Sequence, residues 1–393
     1  MNGARLVLTA FDLISFFCFG LAQWRISRIW RYRVYKWPSQ YWVAGFWGIR
    51  FFNTALVIGC AFTFSDWMGR IGITGRGVAF AGGAALLYCM TATGALAIYE
   101  VSRWVGRQMG GETDPARRRL IHTAGTALMA APFAAAGYGM FIERLDLRVR
   151  ELDVPLGGLP PEFAGLQILQ LSDIHLSAFL SEAELERVVD AALEFHPHIT
   201  VVTGDLISGR GDPLDACIRQ LARLKADAGV FGCMGNHERY AKAEAYTKAA
   251  AGRVGIDFLR SETHQLRFGN RTLNLAGVDY QSLAGHQHYL RGAERMVVPG
   301  ALNILLSHNP DVFPVAVRQG YNFVIAGHTH GGQVTVEILD QSINAARFFT
   351  PYIYGLYREA GAAVYVTRGI GTIAVPARIG APPEITLLRL QKA

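Results

Sequence analysis

Two histidines stand one residue apart in Gly327-His328-Thr329-His330-Gly331-Gly332-Gln333. The glycines around them can take backbone shapes closed to other residues, so the loop can bend until both imidazoles reach one place. An apolar run, Phe323-Val324-Ile325-Ala326, leads into it. Paired imidazoles at such a position are a candidate metal site, although a His-x-His can equally be two ordinary loop histidines. Four more groups share the pattern: Asp173-Ile174-His175, Gly204-Asp205, Gly235-Asn236-His237-Glu238 and His308. Singly, these read as well as a turn, a helix N-cap, a polar loop and a surface histidine. Loop chemistry does not account for all five at the ends of apolar runs. Mixed imidazole and carboxylate donors suit Mn, Fe or Zn, and the absence of thiolates speaks against a structural zinc site.

The elements that would hold these groups are short. Leu166–Leu171, Ile199–Val202, Val230–Met234, Leu302–Leu306 and Phe323–Ala326 read as strands. Glu182–Phe195, Leu214–Lys225 and Ala241–Ala251 have helical patterns. Such alternation predicts an α/β fold, which places its sites in loops at the carboxyl ends of strands. Phe258–Val278 reads as antiparallel strands with a hairpin turn at Gly269-Asn270. Residues 145–162, with Leu156-Gly157-Gly158-Leu159-Pro160-Pro161, read as a linker or first turn between an apolar half, 1–144, and a soluble half, 163–393.

The five groups, in this order, resemble the calcineurin-like metallophosphoesterases, whose pattern is DxH, GD, GNH[DE], H and GHxH. The resemblance covers about residues 163–393 and every motif is intact. Tyr354-Gly355-Leu356-Tyr357, Tyr365-Val366-Thr367-Arg368-Gly369 and Pro382-Pro383-Glu384-Ile385 look like the bacterial membrane-associated or exported subgroup. The resemblance implies a sandwich of two β-sheets flanked by helices, with two divalent metal ions. It implies that Asp173, His175, Asp205 and His330 hold the first ion. Asp205, Asn236, His308 and His328 would hold the second, with Asp205 bridging. A metal-bridging hydroxide would attack phosphorus in line. His237 follows a ligand, so it is expected to face substrate and to protonate the leaving group or stabilise transition-state charge. Glu238, Arg239 and Tyr240 either border the substrate or are structural.

The apolar half carries the charge asymmetry. Residues 1–144 hold 15 Lys+Arg and 6 Asp+Glu, and residues 145–393 hold 23 and 25. A basic excess confined to the apolar half speaks for membrane topology and against nucleic acid as a partner. Leu6–Trp24, Tyr41–Phe64, Gly77–Tyr99 and Leu120–Phe141 predict an all-α region of about four spans, multi-pass in a bacterial inner membrane. Arg25, Arg28, Arg31, Arg33 and Lys36 lie between the first two spans, and Arg103, Arg107, Arg117, Arg118 and Arg119 between the last two. Only Arg70 and Arg76 separate the middle pair. Both basic segments are therefore expected in the cytoplasm, with the termini and the catalytic half outside. Arg117-Arg118-Arg119-Leu120-Ile121 reads either as an internal twin-arginine-like signal or as an ordinary basic helix flank. Asp12 and Arg50 fall within spans, as functional groups or as residues reaching the interface. Tryptophans, Trp67 among them, cluster near the span ends. Cys18, Cys60 and Cys89 read as small buried hydrophobes, and Cys217 and Cys233 as thiols rather than a disulfide.

The expected function is a membrane-anchored phosphoesterase acting on a phosphoester or phosphoanhydride. Its expected partners are a phosphorylated lipid or lipid-linked substrate on the outer face, and membrane lipids. The aromatic stretch Arg347–Tyr354 is either core or a patch facing lipid. Two alternatives remain. One is a membrane binding or transport protein with a non-catalytic hydrolase-like domain, which predicts a missing ligand residue. The other is a phosphatase released by cleavage after Ala136.

Overall fold

The computed structural model describes residues 2–64, 75–108, 115–338 and 341–393. Among them, four long helices open the chain: α1 (Asn2–Val34), α2 (Trp42–Phe64), α3 (Arg76–Gln108) and α4 (Pro115–Phe141). Three stretches of the described residues are long and apolar enough to cross a membrane: Ser39–Thr63, Arg76–Gln108 and Thr123–Leu145. The first expected span lies in α1, which is not among these three. The segment expected as its basic loop is helical as far as Val34, and α3 likewise runs on through Arg103 and Arg107. Residues Trp67 and Arg70, and the side chains of Asp12 and Arg117-Arg118-Arg119, lie outside the described residues.

The helices pack through small residues. A side chain at Gly59 would collide with Ala85, and one at Gly82 with Thr63, so glycine permits the close approach of α2 and α3. Polar side chains join α1, α2 and α3. Gln23 donates to Asn53 at 2.7 Å, and the Tyr88 hydroxyl donates to Gln23 at 3.1 Å. Arg50 is exposed, its guanidinium beside Trp47. Cys60 and Cys89 are buried as expected, whereas Cys18 is exposed.

The rest of the chain runs β1 (Arg148–Leu156), β2 (Gln167–Leu171), α5 (Glu182–Leu193), β3 (Ile199–Val202), α6 (Leu214–Leu221), β4 (Val230–Gly232), α7 (Asn236–Ala241), α8 (Glu244–Gly252) and β5 (Ile256–Phe258). It continues with β6 (Glu262–Phe268), β7 (Arg271–Gly277), β8 (Leu302–Leu306), α9 (Phe313–Gln319), β9 (Phe323–Ala326), β10 (Thr335–Ile338), β11 (Gln341–Asn344), β12 (Gly355–Glu359), β13 (Ala362–Val366) and β14 (Glu384–Lys392). Two six-stranded mixed sheets result, ordered β1-β14-β2-β3-β4-β5 and β12-β13-β9-β8-β7-β6. Within them β2, β3 and β4 are parallel neighbours, as are β8 and β9.

The sheets stack face to face. Ile168, Val201 and Phe231 of one share a core with Leu275, Ile304 and Phe323 of the other. The outer face of the first sheet packs Leu169 and Val202 against Leu185, Val189 and Leu221 of its helices. The second packs Leu305 and Val324 against Phe313 and Ala316 of α9. Strands covered on both faces are largely apolar, so their sequences read as apolar runs with single buried polar residues such as Gln170, Thr200 and Asn303. The expected α/β sandwich of two sheets flanked by helices is therefore the fold.

The expected linker is not one. Residues 148–156 form β1, a parallel edge strand on β14. Only Val154 and Leu156 of it are buried, and the charges of an edge strand made it read as a connector. The hairpin at Gly269-Asn270 forms as expected, with Phe268 opposite Arg271. Cys217 and Cys233 are buried free thiols.

Candidate metal centre

Parallel β2, β3 and β4 deliver their carboxyl ends to one edge of the sandwich, and β8 and β9 deliver theirs to the same edge. Asp173 and His175 follow β2, Asp205 follows β3, Asn236 and His237 follow β4, His308 follows β8, and His328 and His330 follow β9. Backbone bonds continue past the strand ends: Asp173 N donates to Gly204 O at 3.0 Å, and His175 N to Asp205 O at 2.9 Å. Beneath them the buried Gln170 amide donates to Thr203 at 2.8 Å and to the Ala326 carbonyl at 2.9 Å, which ties the ends of the two sheets together.

The backbone is strained where the donors sit. Asp173, His175, Asp205, His328 and His330 all have left-handed φ, between 48° and 77°. Each such residue costs on the order of 1–3 kcal/mol and persists only where its surroundings over-determine it. Asp173 shows how. Its carboxylate accepts from His328 N at 3.0 Å and from the Ser172 hydroxyl at 2.6 Å. A Cβ at Gly327 would overlap both Asp173 and Ser172, so only glycine lets the β9 loop come this close.

Glu238 is fully buried, and its carboxylate accepts from Gly235 N, Asp205 N and Leu206 N at 2.8, 2.9 and 2.7 Å. Of its two expected readings, this geometry supports the structural one. Burial, then the Asp205 charge, pushes its carboxyl up to about 7. Glu238→Ala would orphan three N–H groups at about 1–3 kcal/mol each. The thermal unfolding midpoint of the detergent-solubilised protein is expected to fall by several degrees, and an unchanged midpoint would refute the structural role. Arg239 and Tyr240 are exposed beside His237, with the Tyr240 ring 5.6 Å from that imidazole.

Three overlapping donor groups converge: Asp173, His175 and His330; His175, Asp205 and His237; and Asp205, His308 and His328. Within each, the candidate ligand atoms lie within 4.8 Å of one another. Asp205 belongs to two groups, with Oδ2 3.0 Å from His308 Nε2 and 3.5 Å from His175 Nε2. His330 Nε2 is 3.3 Å from Asp173 Oδ1 and 3.1 Å from His175 Nε2. Asn236 is buried with Oδ1 lacking a partner, and His330 Nδ1 also lacks a hydrogen-bond partner.

Electrostatics prepares lone pairs. Burial lowers the His175 and His328 imidazoles to about 3 and carries His330 well below its ordinary value, so all three are neutral at pH 7. Burial alone would lower His308 too, but the Asp205 and Asp173 carboxylates hold it up at about 10. His308 in turn outweighs burial at Asp205 and keeps that carboxyl well below the carboxylate range. Asp173 moves upward through burial. Three neutral imidazoles, a fourth at His308 that would give up its proton to a bound cation, two carboxylates and an unsatisfied amide oxygen make a buried donor set that fits divalent ions.

His237 carries two possibilities. Its N–H donates to Asp205 Oδ1 at 2.8 Å, and its Nδ1 lies 2.5 Å from the Ser208 carbonyl, which can only accept. Nδ1 therefore carries a hydrogen, and Nε2 is the nitrogen left for chemistry. A ring nitrogen of His237 is close enough to His175 and Asp205 to count as a donor, so distance alone does not separate catalyst from ligand.

The sequence reading missed the supports. Arg378 is fully buried and donates to the carbonyls of Gly371, Ala381 and Arg368, fixing the loop that lies against Asp173 and Ile174. Glu384 is equally buried and binds Tyr354, Tyr365 and Thr367. Glu384 falls in a stretch noted only for its resemblance to a subgroup, and Arg378 in none of the stretches singled out.

Residues 166–332 match the family model described as calcineurin-like phosphoesterase. The chain carries a calcineurin-like phosphoesterase domain. Among its relatives is a "transmembrane protein with metallophosphoesterase domain" of Bos taurus, 28% identical over 310 residues, covering 75% of this chain and 68% of that one. The protein of the same name in Danio rerio is 31% identical over 274 residues, 66% of this chain and 60% of its own. The metallophosphoesterase YkuE of Bacillus subtilis is 29% identical over 282 residues, 70% of this chain and 97% of its own. The chain thus spans nearly all of the Bacillus relative and about two thirds of the vertebrate ones. The family is one of hydrolases.

Proposed function

We propose that the chain is a membrane-anchored, two-metal phosphoesterase. Asp173, His175, Asp205 and His330 hold one ion, and Asp205, Asn236, His308 and His328 the other. The observation that carries this reading is Asp205, whose carboxylate is shared by two donor groups at the meeting point of five strand ends. Bound there, two divalent ions of the Mn, Fe or Zn type would supply Lewis-acid polarisation of the phosphoryl group and of water. The chain supplies the rest. Ser208 fixes the His237 tautomer, and protonated Nε2 hands its proton to the departing oxygen. The strained loops hold the donors in place before substrate arrives, so little reorganisation is left for the reaction step.

Every residue of the motif is present, which favours an enzyme over a non-catalytic domain. Elemental analysis together with hydrolysis of a chromogenic phosphodiester tests this. Two metals with turnover are expected, and two metals without turnover on any phosphoester would leave only the binding reading.

We place the domain outside the cytoplasm of a bacterial inner membrane, with a phosphorylated lipid or lipid-linked molecule as substrate. The basic segments before Ser39 and at the end of α3 support that orientation. Lipid contact is supported by Phe348 and Phe349, which are 88% and 70% exposed, whereas Tyr352 packs on Phe313 and Tyr357. Arg210 is exposed, so Arg210→Cys should react with a membrane-impermeant maleimide in intact cells. Labelling only after lysis would overturn the orientation and the outer-face substrate with it.

A further inference from the structure

Beside the donor loops lies a cavity of about 490 Å³, lined among others by Gly331, Arg347, Tyr354, Tyr357 and Arg368. Its lining residues adjoin the metal centre without including any of its donors. Gly331 follows His330 directly, and a Cβ on it would come within 2.7 Å of the Arg368 side chain. Gly369, the next residue after Arg368, lies against Asp173.

Arg368 is held flat and left without a counter-charge. Its guanidinium carbon sits 3.9 Å from the centre of the Tyr354 ring, and that of Arg150 sits 4.9 Å from the same ring. The Tyr354 hydroxyl donates to Glu384 at 3.0 Å and accepts from Arg150, so the ring cannot swing away without breaking both bonds. Glu384 is the acid at hand, but its oxygens are taken by Tyr354, Tyr365, Thr367 and the backbone N–H of Arg368. Among the described residues no carboxylate forms an ion pair with the Arg368 guanidinium, and its Nε is buried without a hydrogen-bond partner. Stacking on a phenol ring offsets part of the cost of desolvating a guanidinium and leaves its donor edge open. Planar donors of this kind match the oxygens of phosphate or carboxylate.

We propose that this cavity binds a second anionic group of the substrate, separate from the phosphoryl group being cleaved, and that Arg368 selects for it. The proposal rests on the phosphoesterase reading and narrows it to substrates with two anionic groups, a phosphoryl ester and a distal phosphate or carboxylate. Arg368 is a specificity residue here and takes no part in bond breaking.

The test measures binding rather than turnover. Alkyl phosphonates of two to six carbons, ending in a methyl, a carboxylate or a second phosphonate, are titrated calorimetrically into the metal-loaded full chain in detergent. A terminal anion should tighten Kd by about tenfold or more at some length, the effect of one charge-assisted hydrogen-bonded contact. The better of the two anionic ends identifies the distal group. Arg368→Gln should erase that gain, keep both metals and leave the methyl-ended ligand unaffected. No gain at any length in the wild-type chain, or equal weakening of all three ligands in the variant, would overturn the proposal. Arg347→Gln, at an exposed position on the rim, guards against a misfolded Arg368 variant. It should cut the gain several-fold, and an unchanged gain would count against the cavity. Absence of turnover on phosphoesters alongside an intact gain would sink the phosphoesterase reading and leave the anion subsite standing.

Discussion

Asp205→Asn is expected to lower metal content below two ions per chain and to reduce turnover by about a thousandfold or more, while the fold persists. The substitution keeps size and shape, so Oδ1 can still accept from His237 N, now 2.8 Å away. What it removes is the negative charge that stands 3.0 Å from His308 Nε2 and 3.5 Å from His175 Nε2. If both ions share this carboxylate, neutralising it weakens each of them and leaves mutual repulsion less compensated. Loss of several kcal/mol of transition-state stabilisation corresponds to that drop in rate. Elemental analysis, far-UV circular dichroism and a phosphoester assay on one preparation separate the effects. Two ions retained with near-normal activity would show that the dinuclear assignment is wrong.

The strands that carry the donors were legible because they are covered on both sides. Ile199–Val202, Leu302–Leu306 and Phe323–Ala326 carry at most one polar residue each, Thr200 and Asn303, too few to break the apolar pattern, and their limits match the expected ones. The donors themselves were legible because each follows such a run. β1 was hidden for the opposite reason. At a sheet edge Arg148, Arg150 and Glu151 are tolerated, and nothing in such a sequence separates a strand from a connector. The basic segment after the first apolar stretch was read as a loop, yet arginine is a good helix former and α1 runs on through it. The supports were illegible for another reason. Glu238 meets Asp205 and Leu206 across more than thirty residues of chain, and Arg368 reaches its cavity beside Gly331 from the far end of the domain. Those contacts depend on which irregular loops fold against one another, and no local period encodes that.

His237→Ala puts the open question at the centre to a direct test. The imidazole stands in one donor group with His175 and Asp205, so it is either an additional ligand or the group that protonates the leaving oxygen. The two roles predict different metal counts. A catalyst can be removed with both ions retained, and turnover should then fall by about 10²–10⁴, the range for a lost general acid. A ligand cannot be removed without loss of metal affinity. Leaving groups sharpen the distinction further. A nitrophenolate departs as a stable anion and needs no proton, whereas an alkoxide needs one, so the defect should shrink on nitrophenyl esters and stand in full on alkyl esters. Equal loss on both esters with two metals in place would exclude proton transfer and leave His237 the task of stabilising charge on the phosphoryl oxygens. That remaining role is consistent with the geometry, because Ser208 holds Nδ1 and orients Nε2 whichever task it performs.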